Sequence, residues 1–315
     1  MNMLRLGFFL VSGGVLFAIT GCGSDSQINL GTGGSGGSTS SSSSASSTST
    51  SSGDTSSSSS SGGSSSSSTS SSSGAPAEKF SFFVTSLKAL QDLSGSPDGF
   101  GGDLRFGETG PGSGLRGADK ICATIAEKSM PGAGAKPWRA FLSAVADENG
   151  KQVDARDRIG EGPWYDRLGR LLSANKANLL NQRPLDADPA IINDFPNEDG
   201  VPNHQPDPNQ PQVDNHDMLT GTNTQGTLYS QTATCKDWTS AIGDLASEGR
   251  PRVGHSWPRF GGPGGGSGAN WMSSLDESGC APGINLIEMG GPIPGEVTVG
   301  SGGGYGGFFC FSLVP

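Results

Sequence analysis

Tyr305-Gly306-Gly307-Phe308-Phe309-Cys310-Phe311-Ser312-Leu313-Val314 is a run of strand-forming residues at the far end of the sequence. Phe80-Ser81-Phe82-Phe83-Val84-Thr85-Ser86 has the same character at the start of the foldable region. Both ends of that region are therefore predicted to lie in a sheet. Between them Ala118, Ile121, Cys122, Ile125 and Ala126 recur at three- and four-residue spacing. That period predicts one amphipathic helix from Gly114 to Ser129, stopped by Pro131-Gly132. Cys122 falls on its apolar face, where a thiol can meet a strand packed beneath. Trp138 to Ser143 reads as a strand, and Trp164 to Leu171 as a hairpin. The remainder is loop-rich, so the expected class is α+β.

Outward from this region the composition changes abruptly. Residues 31 to 75 are Gly, Ser or Thr at every position except Ala45, Asp54 and Ala75. Such a segment has almost no apolar side chains with which to offset the entropy of ordering itself. Residues 22–77 are expected to form a disordered Ser/Gly-rich linker whose typical reach is on the order of 40 Å. Residues 78–315 are left as one compact domain. Ahead of the linker, Met1 to Arg5 is positively charged, and Leu6 to Ile19 is apolar but short for a spanning helix. Residues 1–21 thus read as a signal peptide. Ile19-Thr20-Gly21-Cys22 resembles the bacterial lipobox, which implies cleavage before Cys22 and acylation of it. Several acyl chains on one residue give stable anchoring where a single chain is marginal. By the same analogy, the lack of Asp after Cys22 points to the outer membrane. The formal charge of -10, without clustered Lys or Arg, argues against nucleic acid as a partner.

Of five cysteines, Cys122, Cys235, Cys280 and Cys310 lie in the domain. An even number in an exported chain predicts two disulfides, and their spacing matches no zinc-site pattern. Composition alone leaves three pairings open. Gly117-Ala118-Asp119-Lys120-Ile121-Cys122, Trp138-Arg139-Ala140-Phe141-Leu142-Ser143, Leu219-Thr220-Gly221-Thr222, Thr234-Cys235-Lys236-Asp237-Trp238, Ser278-Gly279-Cys280 and Phe309-Cys310-Phe311 together resemble the endostatin domain. Bacterial relatives, including leptospiral endostatin-like surface lipoproteins, are similar too. The resemblance runs from about Phe80 to Val314, with long insertions between the matched blocks. It implies a C-type-lectin-like fold with paired terminal strands, and bridges from Cys122 to Cys310 and from Cys235 to Cys280.

Residues 186 to 217 hold Asp186, Asp188, Asp194, Glu198, Asp199, Asp207, Asp214 and Asp217 with no Lys or Arg. Carboxylates and Asn carbonyls are hard oxygen ligands, so Asp194, Glu198 and Asp199 form a candidate Ca²⁺ site. Their spacing is not that of an EF-hand, and the Glu-Pro-Asn and Trp-Asn-Asp signatures of sugar-binding lectins are missing. His204 and His216 share the segment but fit no zinc spacing. Endostatin itself binds zinc, mostly through N-terminal histidines that have no counterpart here. A serine hydrolase usually signals itself with Gly-x-Ser-x-Gly on a strand-to-helix turn, and no such elbow occurs in a plausible context. His255, in Arg250-Pro251-Arg252-Val253-Gly254-His255-Ser256-Trp257, reads as part of a surface or core turn. Among the tryptophans, Trp138, Trp164 and Trp238 read as core. Trp257 and Trp271, with Arg259 nearby, are the candidate exposed platform.

These features lead to an expectation of a non-catalytic surface lipoprotein whose domain binds an extracellular protein or polysaccharide. The alternatives are a structural envelope protein without a soluble ligand and, third, a hydrolase. A binding module should expose aromatic and basic residues near Trp257, whereas an enzyme should gather a histidine and a carboxylate in a deep pocket.

Overall fold

The computed structural model describes residues 79–210, 213, 215–258, 270–287 and 292–315, all in one compact unit. The signal peptide, Cys22, the serine tract, Asp214, Arg259 and the glycine run at 261–268 lie outside the described residues. In chain order the main elements are β1 (Phe82–Val84), α1 (Leu87–Ser94), α2 (Ser113–Ser129), β2 (Trp138–Ala140), β3 (Trp164–Tyr165) and β4 (Leu171–Ser173). They continue with β5 (Asp217–Leu219), β6 (Arg252–His255), β7 (Leu275–Asp276) and β8 (Gly304–Ser312). The fold is mixed α+β, with small sheets and few helices. No helix among the described residues is long and apolar enough to cross a membrane.

β8 organises the molecule. Its nine residues are all buried, as a strand covered on both faces must be. Its second half pairs antiparallel with β1 on one side, Val84 opposite Phe309, and with β2 on the other, Ala140 opposite Cys310. Its first half pairs parallel with β5, Leu219 opposite Phe308. β6 and β7 complete the sheet in the order β1-β8-β5-β6-β7, and β3 and β4 form a separate two-stranded sheet. Both predicted terminal strands are thus neighbours in the main sheet. The strand expected at Trp138 to Ser143 stops at Ala140. Beyond it the backbone turns, with Phe141 N donating to Phe309 O at 2.9 Å and Ser143 N to Thr220 O at 2.9 Å.

α2 begins one residue before the predicted start and buries Leu115, Ala118, Ile121, Cys122, Ile125 and Ala126. Leu104 and Arg105 cross so close to it that a Cβ on Gly117 would lie 2.2 Å from their carbonyl oxygens. α1 was not anticipated. Its signal is Ser86, whose side chain accepts from Ala89 N, followed by leucines at 87, 90 and 93, with Gly95 in a left-handed conformation at the end.

Two disulfides tie these elements together: Cys122 of α2 to Cys310 of β8, and Cys235 to Cys280. They close sequence separations of 188 and 45 residues. In the chain-entropy model each adds about 4–5 kcal/mol by restricting the unfolded chain. The core around them is aromatic. Trp138 packs at 5.3 Å from Phe80 and 5.0 Å from Phe83, and Trp164 stands edge-on to Phe311 at 5.6 Å.

Cys235, Lys236, Asp237 and Trp238 all have positive φ, from 46° to 64°. They form one left-handed turn without glycine, which costs roughly 1–2 kcal/mol per residue. Several contacts hold it. Thr234 Oγ1 accepts from Asp237 N at 3.2 Å, and the Asp237 carboxylate accepts from Val145 N and Ala146 N at 2.6 and 3.1 Å. Trp238 Nε1 donates to Ser143 O at 2.8 Å.

Candidate functional site

The antiparallel register of β5 and β6 sets Asp217 directly opposite His255, and His216 precedes Asp217 in the chain. His216 Nε2 lies 3.3 Å and His255 Nε2 3.1 Å from Asp217 Oδ1. The two imidazoles meet edge to face, with centroids 4.2 Å apart. Asp217 is fully buried, while His216 and His255 are 8% and 6% exposed. Among the described residues, this is the one group of three or more His, Cys, Asp or Glu side chains whose ligand atoms all lie within 4.8 Å of one another.

A second carboxylate backs the first. Glu277, immediately after β7, is fully buried, and its position is set by its own N–H donating to Pro251 O at 3.0 Å. Its Oε2 accepts from Ser301 Oγ at 2.7 Å and from Gly302 N at 2.8 Å. Both carboxylates close on Gly302, where a Cβ would lie 2.7 Å from Asp217 Oδ2 and 3.1 Å from Glu277 Oε1. Burial, reinforced by the neighbouring Asp217, holds the Glu277 carboxyl well above the usual carboxylate range. Glu277 Oε1 and both Asp217 oxygens are buried without a hydrogen bond.

A neutral polar shell flanks the group. Ser256 N donates to His216 O at 2.8 Å, and Ser256 Oγ donates to Asn215 O at 3.2 Å. Asn203 Nδ2 donates to the same carbonyl at 2.9 Å. The Tyr305 hydroxyl lies 2.9 Å from Asn203 Oδ1 and 2.7 Å from Thr85 O, and burial raises its pKa. His204, paired with His216 in the sequence reading, stands further off, with ring centroids 6.1 Å apart. It stacks instead on Trp257 at 3.7 Å.

Two expectations are corrected. Asp194, Glu198 and Asp199 do not bring their carboxylate oxygens within 4.8 Å of one another, so the three are not gathered as a cage. Glu198 is buried and accepts from Ser86 N at 3.0 Å and from Ser86 Oγ. Asp194 accepts from His204 N at 2.9 Å, and Asp199 is exposed. Asp194 and Glu198 thus accept from nearby backbone N–H groups. Trp271 is no platform either. It is fully buried, its ring 4.6 Å from Phe141 and 5.3 Å from Phe309, and its Nε1 donates to Leu179 O at 3.1 Å. Trp257 is half-buried.

Sequence reasoning missed His255 and Glu277 as partners of Asp217. His255 lies in β6 and Glu277 just after β7, and only the pairing of β5 with β6 and of β6 with β7 brings them to Asp217. No local spacing announces that pairing.

No family model and no curated protein sequence matches this chain. The class defined by fold and cross-links is a disulfide-stapled α+β domain. Its disulfides indicate an oxidising compartment, periplasmic or extracellular.

Proposed function

We propose that the chain is an exported lipoprotein, anchored through acylated Cys22, whose endostatin-like, C-type-lectin-like domain binds an extracellular protein or polysaccharide without catalysis. The disulfide framework carries this proposal. Cys122–Cys310 and Cys235–Cys280 are the pairs that the endostatin resemblance implies, and stable bridges belong to exported proteins. Trp257, part-exposed and stacked on His204, is the aromatic available for a ligand once Trp271 is assigned to the core.

The test has two arms. Cells fed radiolabelled palmitate should incorporate label into the wild-type chain and not into Cys22→Ala. The mature chain, offered to a glycan array and to extracellular matrix proteins, should retain one class of ligand, with retention at least about tenfold weaker in Trp257→Ala, as for an interface anchor. No retained ligand of either class would favour a purely structural envelope role.

A further inference from the structure

Asp217 and Glu277 are two fully buried carboxylates that converge on the same glycine. Among the described residues, neither is paired with a lysine or arginine. Burying anionic groups without a compensating cation is strongly unfavourable. The groups that face Asp217 at ion-pair range are the imidazoles of His216 and His255.

The spacing of these atoms suggests what supplies the charge. In a tetrahedral site with arms of about 2.0–2.2 Å, neighbouring ligand atoms stand about 3.3 Å apart. His216 Nε2 and His255 Nε2 lie 3.3 and 3.1 Å from Asp217 Oδ1. At those distances neither Asp217 oxygen accepts a hydrogen bond. The three atoms are therefore spaced as co-ligands of a common point rather than aligned as donor and acceptor. Imidazole nitrogen excludes Ca²⁺ and Mg²⁺, which take oxygen ligands, and suits first-row transition ions.

We propose that His216, Asp217 and His255 bind a divalent first-row transition-metal ion, with Zn²⁺ as its type, and that Glu277 is a positioning residue behind Asp217. It closes with Asp217 on Gly302 and so bounds the space that the ligating carboxylate occupies. Here Glu277 is itself fixed by Ser301 Oγ and Gly302 N. The site is built from β5 and β6 in the heart of the sheet, unlike the N-terminal histidine site known from endostatin. The ion would add three bonds across the β5–β6 pair and neutralise the Asp217 carboxylate.

The experiment uses the full mature chain, extracted in detergent and stripped with a chelator. Titration with Co²⁺ should produce visible d–d absorption bands that Zn²⁺ abolishes by competition and that Ca²⁺ leaves unchanged. His255→Ala and Asp217→Asn should each weaken Zn²⁺ binding by more than about 100-fold, and Glu277→Gln by roughly 10- to 100-fold. Asp207→Asn, on the exposed acidic segment, should bind as wild type. Near-UV circular dichroism verifies the fold of each variant. If the ligand variants do not fold, X-ray absorption of the Co²⁺-loaded wild-type chain decides, because two imidazoles must appear in the first coordination sphere. A folded wild-type chain with no Co²⁺ bands overturns the proposal. So does wild-type affinity in folded Asp217→Asn, or a coordination sphere without two imidazoles.

Discussion

Gly302 shows how much one missing side chain can carry. A Cβ added there would lie 2.7 Å from Asp217 Oδ2 and 3.1 Å from Glu277 Oε1, and so collide with the first. Gly302→Ala is expected to displace one buried carboxylate and to weaken the proposed metal binding along with stability. Thermal melts with and without Zn²⁺ separate the two effects. The tryptophans give a cleaner contrast. Trp271→Ala should cost about 3–5 kcal/mol, as large-to-small core changes do, whereas Trp257→Ala should cost far less; chemical denaturation of both variants checks this ranking. Glu198 supplies a pH effect. Burial raises its pKa above the ordinary value of 4.5. A carboxyl with a raised folded-state pKa favours the fold while protonated and loses that contribution as pH climbs from its ordinary value through the raised one. Glu198→Gln should therefore gain on the wild type as pH rises from about 4.5. Melting temperatures across that range, with no change in the wild-type-to-variant difference, would contradict this account.

At the scale of elements, legibility followed local periodicity. β1, β8 and α2 announce themselves because aromatic runs and a three-four spacing are properties of contiguous sequence. The left-handed turn at Cys235–Trp238 does not, since Cys-Lys-Asp-Trp lacks the glycine or asparagine that such φ values favour. It is imposed from outside, by the Asp237 carboxylate on Val145 N and Ala146 N and by the Cys235–Cys280 bridge. The metal-type cluster escaped for a related reason. β5 and β6 are only three and four residues long, too short for alternation to reveal their pairing. These differences predict unequal bridges. Cys122–Cys310 closes 188 residues against 45 for Cys235–Cys280, a gap worth about 1 kcal/mol in loop entropy. Removing Cys235–Cys280 also lets the strained turn relax. Replacing Cys122 and Cys310 by alanine together should therefore destabilise more than replacing Cys235 and Cys280 together. Equal or reversed urea midpoints would refute the argument from loop length and strain.

For the whole molecule, the decisive comparison is between cross-links and total stability. Domains of this kind are stable by about 5–15 kcal/mol, and the two bridges together contribute about 8–10 kcal/mol in the chain-entropy model. The aromatic core alone is then left with a small margin, because so much of the chain is loop rather than regular ladder. Compartment and fold are linked in this way: the chain needs an oxidising environment in order to hold its structure. A chain lacking residues 1–21, made in a reducing cytoplasm, should show weaker tertiary circular dichroism and a much lower melting temperature. The same chain exported and oxidised should melt cooperatively, and reductant should lower its transition by well over 10 °C, given roughly 2–4 °C per kcal/mol for a domain of this size. A cytoplasmic product that melts as the exported one does would mean that the core suffices without its bridges.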